Sequence, residues 1–328
     1  MSNLTFPILH LLADGQFHSG EALAQQFKVT RATIWNAIKH AEVLGITIFS
    51  VRGRGYKLPQ AVEFLDKNAV LSAIGEQQEW FNVIILDEVT STNTYLMQQK
   101  NVAHATCVAA HIQTKGKGRR GRTWVSQLGA SLTFSLVWRF QCGAAALSGL
   151  SLAVGVALMR TLLSLGVDQA QLKWPNDVLV EGKKLAGILI ELQGDLDGPS
   201  TAVIGVGINL NLPKALIEAI DQATTDLNTV SGNSINQNIL LGTLLKHIAE
   251  VLSQFERLGF VGLRNEWVSY HAYHQQPVHM LLPNGTEVLG VVKNVADDGI
   301  LLVETALGLQ RFSAGEISLR AVNSGAGA

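Results

Sequence analysis

The chain has 328 residues, 47% of them hydrophobic and 16% charged, with a net charge of −1. That length exceeds one ordinary domain, and the composition excludes a mostly disordered chain. Its two cysteines, Cys107 and Cys142, show no CxxC or paired spacing, which implies neither a disulfide framework nor a zinc site and fits a reducing cytoplasm.

Charge is uneven along the chain. Residues 1–60 hold Lys28, Arg31, Lys39, Arg52, Arg54 and Lys57 against Asp14, Glu21 and Glu42, a local +3 that leaves −4 for the rest. A basic module on an acidic body points to an anionic partner. Met1 to Gly15 has no basic n-region, and His10 and Asp14 interrupt its apolar run, so no secretory signal is expected. Asn3 to Leu12 reads as a short helix. Ser19 can cap a second over Gly20 to Phe27, and Thr30 a third with Ile34, Ile38, Ala41 and Leu44 on one face. Joined by Lys28-Val29-Thr30, the last two make a helix-turn-helix pattern. Ile46 to Val51 then reads as a strand, turned back by Arg52-Gly53-Arg54-Gly55 into Tyr56-Lys57-Leu58: the wing of a winged helix. Thr30, Arg31, Thr33, Asn36, Lys39 and His40 leave donors on the open face of the third helix, as a helix reading base edges in the major groove requires. Arg52 and Arg54 at the wing tip can reach phosphates or the minor groove. The plain alternative is a three-helix interaction domain with solvated charges. Pro59 to Asp66 reads as a domain boundary.

Beyond Val70, strand and helix signals alternate. Val83 to Leu86 is a strand, and Ser91-Thr92-Asn93 can cap a helix over Thr94 to Gln99, an arrangement that suits a polar or anionic ligand. A strand over Thr106 to Ile112 opens into Gln113-Thr114-Lys115-Gly116-Lys117-Gly118-Arg119-Arg120-Gly121-Arg122-Thr123-Trp124. Positions 116 to 121 match a dinucleotide fingerprint. Five Lys/Arg crowd it, no apolar helix follows, and Gln141-Cys142 stands where a ribose-binding acid belongs, so that reading fails. Leu132 to Trp138 is a strand instead. The segment is thus a cationic, mobile loop between strands, with glycine amides and guanidinium forks to close over an anion. Ala144 to Leu165 is long and apolar, but Arg160, Ser148, Ser151 and Thr161 dilute it, so a buried helix is expected rather than a membrane span. Helices follow over Gln237 to Gly259 and Val261 to His274. Short strands then run over Val278–Leu282, Val288–Lys293, Ile300–Val303 and Gln310–Ser313, with turns at Pro283-Asn284-Gly285 and Asp298-Gly299.

The glycine–arginine loop resembles the biotin-binding signature of biotin–protein ligases. Lys173-Trp174-Pro175-Asn176-Asp177, Lys184-Leu185-Ala186-Gly187-Ile188-Leu189-Ile190-Glu191, Gly205-Val206-Gly207-Ile208-Asn209 and Gly315-Glu316-Ile317-Ser318-Leu319-Arg320 resemble further family motifs, in the family's order. The resemblance implies an α+β protein in three parts: a winged helix-turn-helix over residues 1–64, a mixed-sheet domain like that of class II synthetases over 65–274, and an SH3-like barrel over 275–328. It implies ATP-dependent formation of biotinyl-5′-AMP, with Mg²⁺ expected. Biotin then passes to a lysine of the biotin carboxyl carrier protein of acetyl-CoA carboxylase. It also implies an adenylate-bound homodimer on operator DNA that represses biotin synthesis, in the cytoplasm and without a membrane.

Residue by residue, the resemblance makes Lys184 the bridge between the biotin carboxylate and the α-phosphate, and Arg119 the clamp on the adenylate. Lys183, in the Glu181-Gly182-Lys183 hairpin, is expected to be solvated. Ser91, Thr92, Asn93, Gln113, Gly116, Lys117, Gly118 and Gly187 would surround biotin. Arg120, Arg122, Trp124, Asn176, Asn209 and Arg320 would contact the nucleotide, and Asp177 would orient or deprotonate the incoming lysine. Two features depart from the family pattern. Lys117 replaces an arginine often found there, keeping the charge and losing the planar fork. Pro213 to Gly232 has no aromatic residue to lie over adenine; Leu216, Ile217, Ile220 and Leu227 are its apolar side chains. A lipoate–protein ligase and a non-catalytic biotin-sensing repressor are the alternatives.

Overall fold

The computed structural model describes residues 4–194, 198–282, 285–314 and 318–321. The first three helices are α1 (Thr5–Leu12), α2 (Gly20–Phe27) and α3 (Arg31–Val43). The Ser19 hydroxyl accepts from the Ala22 amide and the Thr30 hydroxyl from the Thr33 amide, so α2 and α3 begin at side-chain caps. Lys28 in the left-handed region ends α2 and reverses the chain. Leu9, Leu12, Leu23, Ile34 and Ile38 form the core of this unit, and Ile112 from the central domain joins it. The wing is shorter than expected, with β1 (Phe49–Val51) paired only to β2 (Gly55–Lys57). Ile46 and Ile48 are buried beneath the helices, which takes their segment out of the hairpin.

The central domain runs α4 (Lys67–Ile74), β3 (Asn82–Val89), α5 (Thr92–Gln98), β4 (Thr106–Gln113), β5 (Ser131–Phe140), α6 (Leu150–Ser164), β6 (Ala170–Lys173), β7 (Asp177–Val180), β8 (Lys183–Gly194), β9 (Ser200–Asn209), α7 (Lys214–Ala219), α8 (Leu227–Ser231), α9 (Gln237–Leu258) and α10 (Arg264–Ser269). Its seven strands lie in the order β3-β4-β5-β9-β8-β7-β6. Only the β3–β4 pair is parallel. Helices α6 and α9 cover one face over Cys107, Leu136, Ala202 and Ile204, while Leu96 of α5 packs on Val108, Val137 and Val203 of the other. Both faces being covered explains why β4, β5 and β9 read as near-continuous apolar runs.

Among the described residues, Ala144–Ser164 is the one segment long and apolar enough to cross a membrane, with mean hydropathy 1.7. It is not one helix: a 3-10 turn over Ala144–Leu147 is separated from α6 by Gly149 at φ +82°. Most of α6 is buried in the core. The expected helix over Val261 to His274 is reduced to a 3-10 turn and the six residues of α10. Past it, the Leu172 amide donates to Tyr270 O and the Ala272 amide to Leu172 O, so β6 takes backbone groups that a longer helix would have used. Pro213 to Gly232, expected as a loop, carries α7 and α8.

The C-terminal strands β10 (Pro277–Leu281), β11 (Glu287–Val295), β12 (Leu301–Thr305), β13 (Gly308–Phe312) and β14 (Ser318–Ala321) form a small antiparallel sheet ordered β13-β12-β11-β10-β14. Its Val278, Met280, Val292 and Leu301 belong to the same core as the central domain, and Trp174 Nε1 donates to Gly299 O at 3.0 Å. Pro283 and Asn284 of the expected turn, and Gly315, Glu316 and Ile317 of the last motif, lie outside the described residues.

Candidate active site

The site's inner end is a lattice of neutral side chains. Ser91 Oγ caps α5 through the Thr94 amide at 3.5 Å. Gln113, the last residue of β4, accepts at Oε1 from the Thr92 amide at 2.7 Å and from Thr92 Oγ1 at 3.2 Å. Ser135 Oγ of β5 donates to Asn93 Oδ1 at 2.5 Å and lies 2.6 Å from Thr92 Oγ1. Asn93 Nδ2 donates to Glu191 Oε2 at 2.8 Å and to Leu189 O at 3.3 Å. All except Glu191 are buried, so these bonds are what make burial of the polar atoms tolerable. Gly205 is required beneath Asn93, because a Cβ there would fall 2.2 Å from Asn93 Oδ1. Sequence reasoning passed over Ser135; the signal was available in Thr133 and Ser135, polar residues alternating with Leu132, Phe134 and Leu136 in a buried strand.

The glycine–arginine segment, expected as a mobile loop between strands, is a closed hairpin. Lys117 bridges to Thr123, the Gly118 amide donates to Arg122 O at 2.7 Å, and the Trp124 amide donates to Gly116 O at 2.9 Å. Arg120 sits at its tip with φ 55°. These cross-hairpin bonds leave Gly116 no room for a side chain: a Cβ would meet Trp124 O at 2.4 Å. The Trp124 ring lies against Gly187 and Gly207 on the sheet, and its Nε1 is buried with no hydrogen-bond partner among the described residues. An unspent buried donor in a cavity wall suits a ligand acceptor.

The cations gather where the hairpin meets β7 and β8. Arg119 donates through Nη1 to Asn176 Oδ1 at 3.0 Å and through Nη2 to Ala314 O, while Asn176 Nδ2 donates to Ile188 O at 2.8 Å. Burial, and then the neighbouring Arg120, lower the Arg119 pKa, opposed by Asp177. Lys184 Nζ stands 2.7 Å from Asp177 Oδ1 and 5.7 Å from the Trp124 ring centroid. Side-chain exposures of 17% and 18% make this a largely buried pair, which costs desolvation and so marks a site rather than a stabilising device. A bulge helps to place it: β7 pairs Val178 with Ala186 but Leu179 with Lys184, leaving Leu185 extra on β8. Asn209 is buried and spends Nδ2 on Lys184 O at 3.2 Å and Thr225 O at 3.0 Å. Lys183 is exposed.

Two cavities meet at this point. The inner, about 50 Å³, is lined by Ser91, Thr92, Asn93, Gln113, Lys117 and Gly187 among others. The outer, about 420 Å³, is lined by Arg120, Arg122, Asp177, Asn209, Ile220 and Asp221 among others. Gly118, Arg119, Trp124, Asn176 and Lys184 line both. Gly116 is buried and lines neither. Arg320 has its backbone in β14, but its side chain lies outside the described residues. Of the apolar residues in 213–232, Ile220 lines the outer cavity and Leu227 is fully buried.

In the N-terminal unit, Arg31, Asn36 and Lys39 are exposed on α3, while Thr30 and Thr33 bond each other at its start. Lys39 also pairs with Glu42 at 2.6 Å. Arg52 and Arg54 are exposed on the wing, and the Arg54 guanidinium lies 4.3 Å from the Phe17 ring centroid. Trp35, 52% exposed between Arg31 and Lys39 at helical spacing, was not foreseen.

Comparison with known proteins reaches each of the three parts of the chain. Residues 85–209 match the biotin/lipoate A/B protein ligase family, residues 5–57 an HTH domain, and residues 274–320 the biotin protein ligase C-terminal domain. The bifunctional ligase/repressor BirA of Salmonella typhimurium is 35% identical over 98% of this chain and 99% of its own, and that of Escherichia coli is 34% identical over the same shares. A biotin protein ligase from Aquifex aeolicus, solved in complex with biotin and ATP, superposes with TM-score 0.64 at 31% identity, covering 74% of this chain and 99% of that one.

Proposed function

This chain belongs to the family of bifunctional biotin ligase/repressors, and from that premise and the site's geometry we infer that it joins biotin to AMP, transfers it to a carrier lysine, and represses transcription. The observation that carries the reading is the junction of the two cavities, where Lys184, Asp177, Arg119 and Asn176 converge. Biotin's neutral ring system suits the inner lattice of Thr92, Asn93, Gln113 and Ser135. Its carboxylate then points to the junction, and the triphosphate lies along Arg120 and Arg122. Attack of one anion on another needs positive charge held where charge accumulates, and Lys184 on its strand is a fixed source of it. Arg119 holds the resulting adenylate.

An inner cavity of about 50 Å³ is well below the ~300–1,000 Å³ usual for small-molecule sites. The hairpin with Trp124 therefore lifts from Gly187 and Gly207 to admit biotin and folds back over the adenylate. Asp177 and Asp221 are the carboxylates lining the outer cavity. Asp221 is an oxygen donor of the kind magnesium takes, and Mg²⁺ bound there would neutralise phosphate charge. In transfer, the carrier lysine's nitrogen bonds to the acyl carbon, AMP leaves with the mixed-anhydride oxygen, and the lysine's proton passes to Asp177. Replacing Asp177 with Asn slows transfer more than adenylate formation; equal slowing of both steps would refute that role.

The carrier is the biotin carboxyl carrier protein, and both it and the operator are met in the cytoplasm. The three parts divide at residues 64 and 274; the separate core of the N-terminal unit supports the first limit. Arg31, Asn36 and Lys39 read bases, and Arg52 and Arg54 grip phosphates. A two-fold operator requires a homodimer, favoured when the adenylate fixes the hairpin. Transfer of labelled biotin to a carrier domain with ATP tests the enzyme: the wild-type chain labels it and Lys184→Ala does not. Undiminished labelling by Lys184→Ala would overturn the assignment. Sedimentation tests the repressor, with dimers expected on adenylate addition and a persistent monomer counting against it.

A further inference from the structure

Where the N-terminal unit meets the central sheet, three metal-ligating side chains converge away from the active site. His10 comes from the last turn of α1, Asp87 from β3 and His111 from β4. Their ligand atoms all lie within 4.8 Å of one another. The parallel register pairs Leu86 with Ala110 and Glu88 with Ile112, which sets Asp87 beside His111. Phe64, from the segment joining the two units, packs on both imidazoles, 3.8 Å from the His10 ring centroid and 4.8 Å from that of His111. Phe6 stacks on His111, with 6.2 Å between the ring centroids.

We propose that His10, Asp87 and His111 bind one zinc-class divalent ion that fastens the DNA-binding unit to the catalytic sheet. Two imidazole nitrogens and one carboxylate oxygen are a borderline donor set that suits Zn²⁺ and not Mg²⁺ or Ca²⁺. Bonds of about 2.0 Å in a tetrahedral site put ligand atoms roughly 3.3 Å apart. His10 and Asp87 are exposed and reach that spacing by side-chain rotation, while His111 is buried and fixed. A fourth position stays open to water on the side of the exposed His10 and Asp87. The rings of Phe64 and Phe6 pack against these imidazoles and exclude water there, which strengthens the bonds. Since the ligands come from two units, the ion's binding energy is also docking energy between them.

The test uses the untagged full-length chain, stripped with chelator. Titration with Co²⁺ and Zn²⁺ is expected to show one ion per chain, a visible Co²⁺ absorption band, and a rise in thermal midpoint with Zn²⁺. His10→Gln and Asp87→Asn, both at exposed positions, are expected each to weaken Zn²⁺ binding at least tenfold and to abolish the Co²⁺ band. Biotin transfer without zinc stays unchanged in both. Zinc binding of equal strength in wild type and both variants, or no binding by the wild-type chain, would overturn the proposal.

Discussion

The two ends of the site solve opposite problems. At the inner end, Thr92, Asn93, Gln113 and Ser135 are buried and neutral, and each is already bonded to another. At the outer end, Arg119, Arg120, Arg122 and Lys184 are charged and less buried. A neutral lattice fixes a shape before any ligand arrives, so it selects. A set of cations held partly out of water acts most strongly on charge that develops during reaction, so it drives chemistry. The contrast predicts that damage at the two ends appears in different kinetic constants.

The largest effect is expected at the outer end. Lys184→Ala should lower adenylate formation about 10³-fold with little change in biotin binding, measured by pyrophosphate exchange. A change confined to KM would erase the distinction between the ends. Arg119→Ala should release the adenylate on the order of 100-fold faster, and Arg119→Lys should recover only part of that, since one ammonium cannot reach both Asn176 and Ala314. Release rates from a ligand-trapping assay decide it. At the inner end, Asn93→Ala should raise the KM for biotin about tenfold, roughly 1.4 kcal/mol, while kcat stays within about twofold. Ser135→Ala should do the same more weakly, and a tenfold drop in kcat for either would break the comparison.

An effect on stability rather than on kinetics concerns the same rule of neutral burial outside the site. His271 is buried between Trp267 and Tyr273, its pKa pushed down to about 3, chiefly by desolvation and then by His274. The folded chain therefore refuses a proton that the unfolded chain accepts below about 6.5. The stability it allows is whole above that pH and is lost as pH falls toward 3, at up to about 1.4 kcal/mol per pH unit. Urea unfolding between pH 7 and 5 should show a shallower slope for His271→Phe, and equal slopes would remove the effect.

Local chemistry was easy to read. Ser19 and Thr30 announced their helices because a capping hydroxyl acts within three residues. The glycine spacing announced a close backbone approach to a ligand because only a missing Cβ permits it. What sequence hid was contact across distance. Nothing local tells that Ser135 faces Asn93, that Leu185 is an extra residue in its strand, or that Trp35 stands exposed among cations. The hairpin's docking was hidden for the same reason: its anchors, Asn176 and Ala314, lie far along the chain. Arg119, Asn176 and Lys184 were associated at first only through resemblance to a family; the fold brings them to one wall.

The bond from Arg119 to the Ala314 carbonyl joins groups 195 residues apart. A chain cut short after His274 would retain Lys184, Asp177 and the whole glycine–arginine hairpin, yet the Arg119 guanidinium would keep only the Asn176 side chain to catch on. The small C-terminal sheet would then matter as a latch keeper: how long the enzyme holds its reactive product would depend on a peptide oxygen that takes no part in making it.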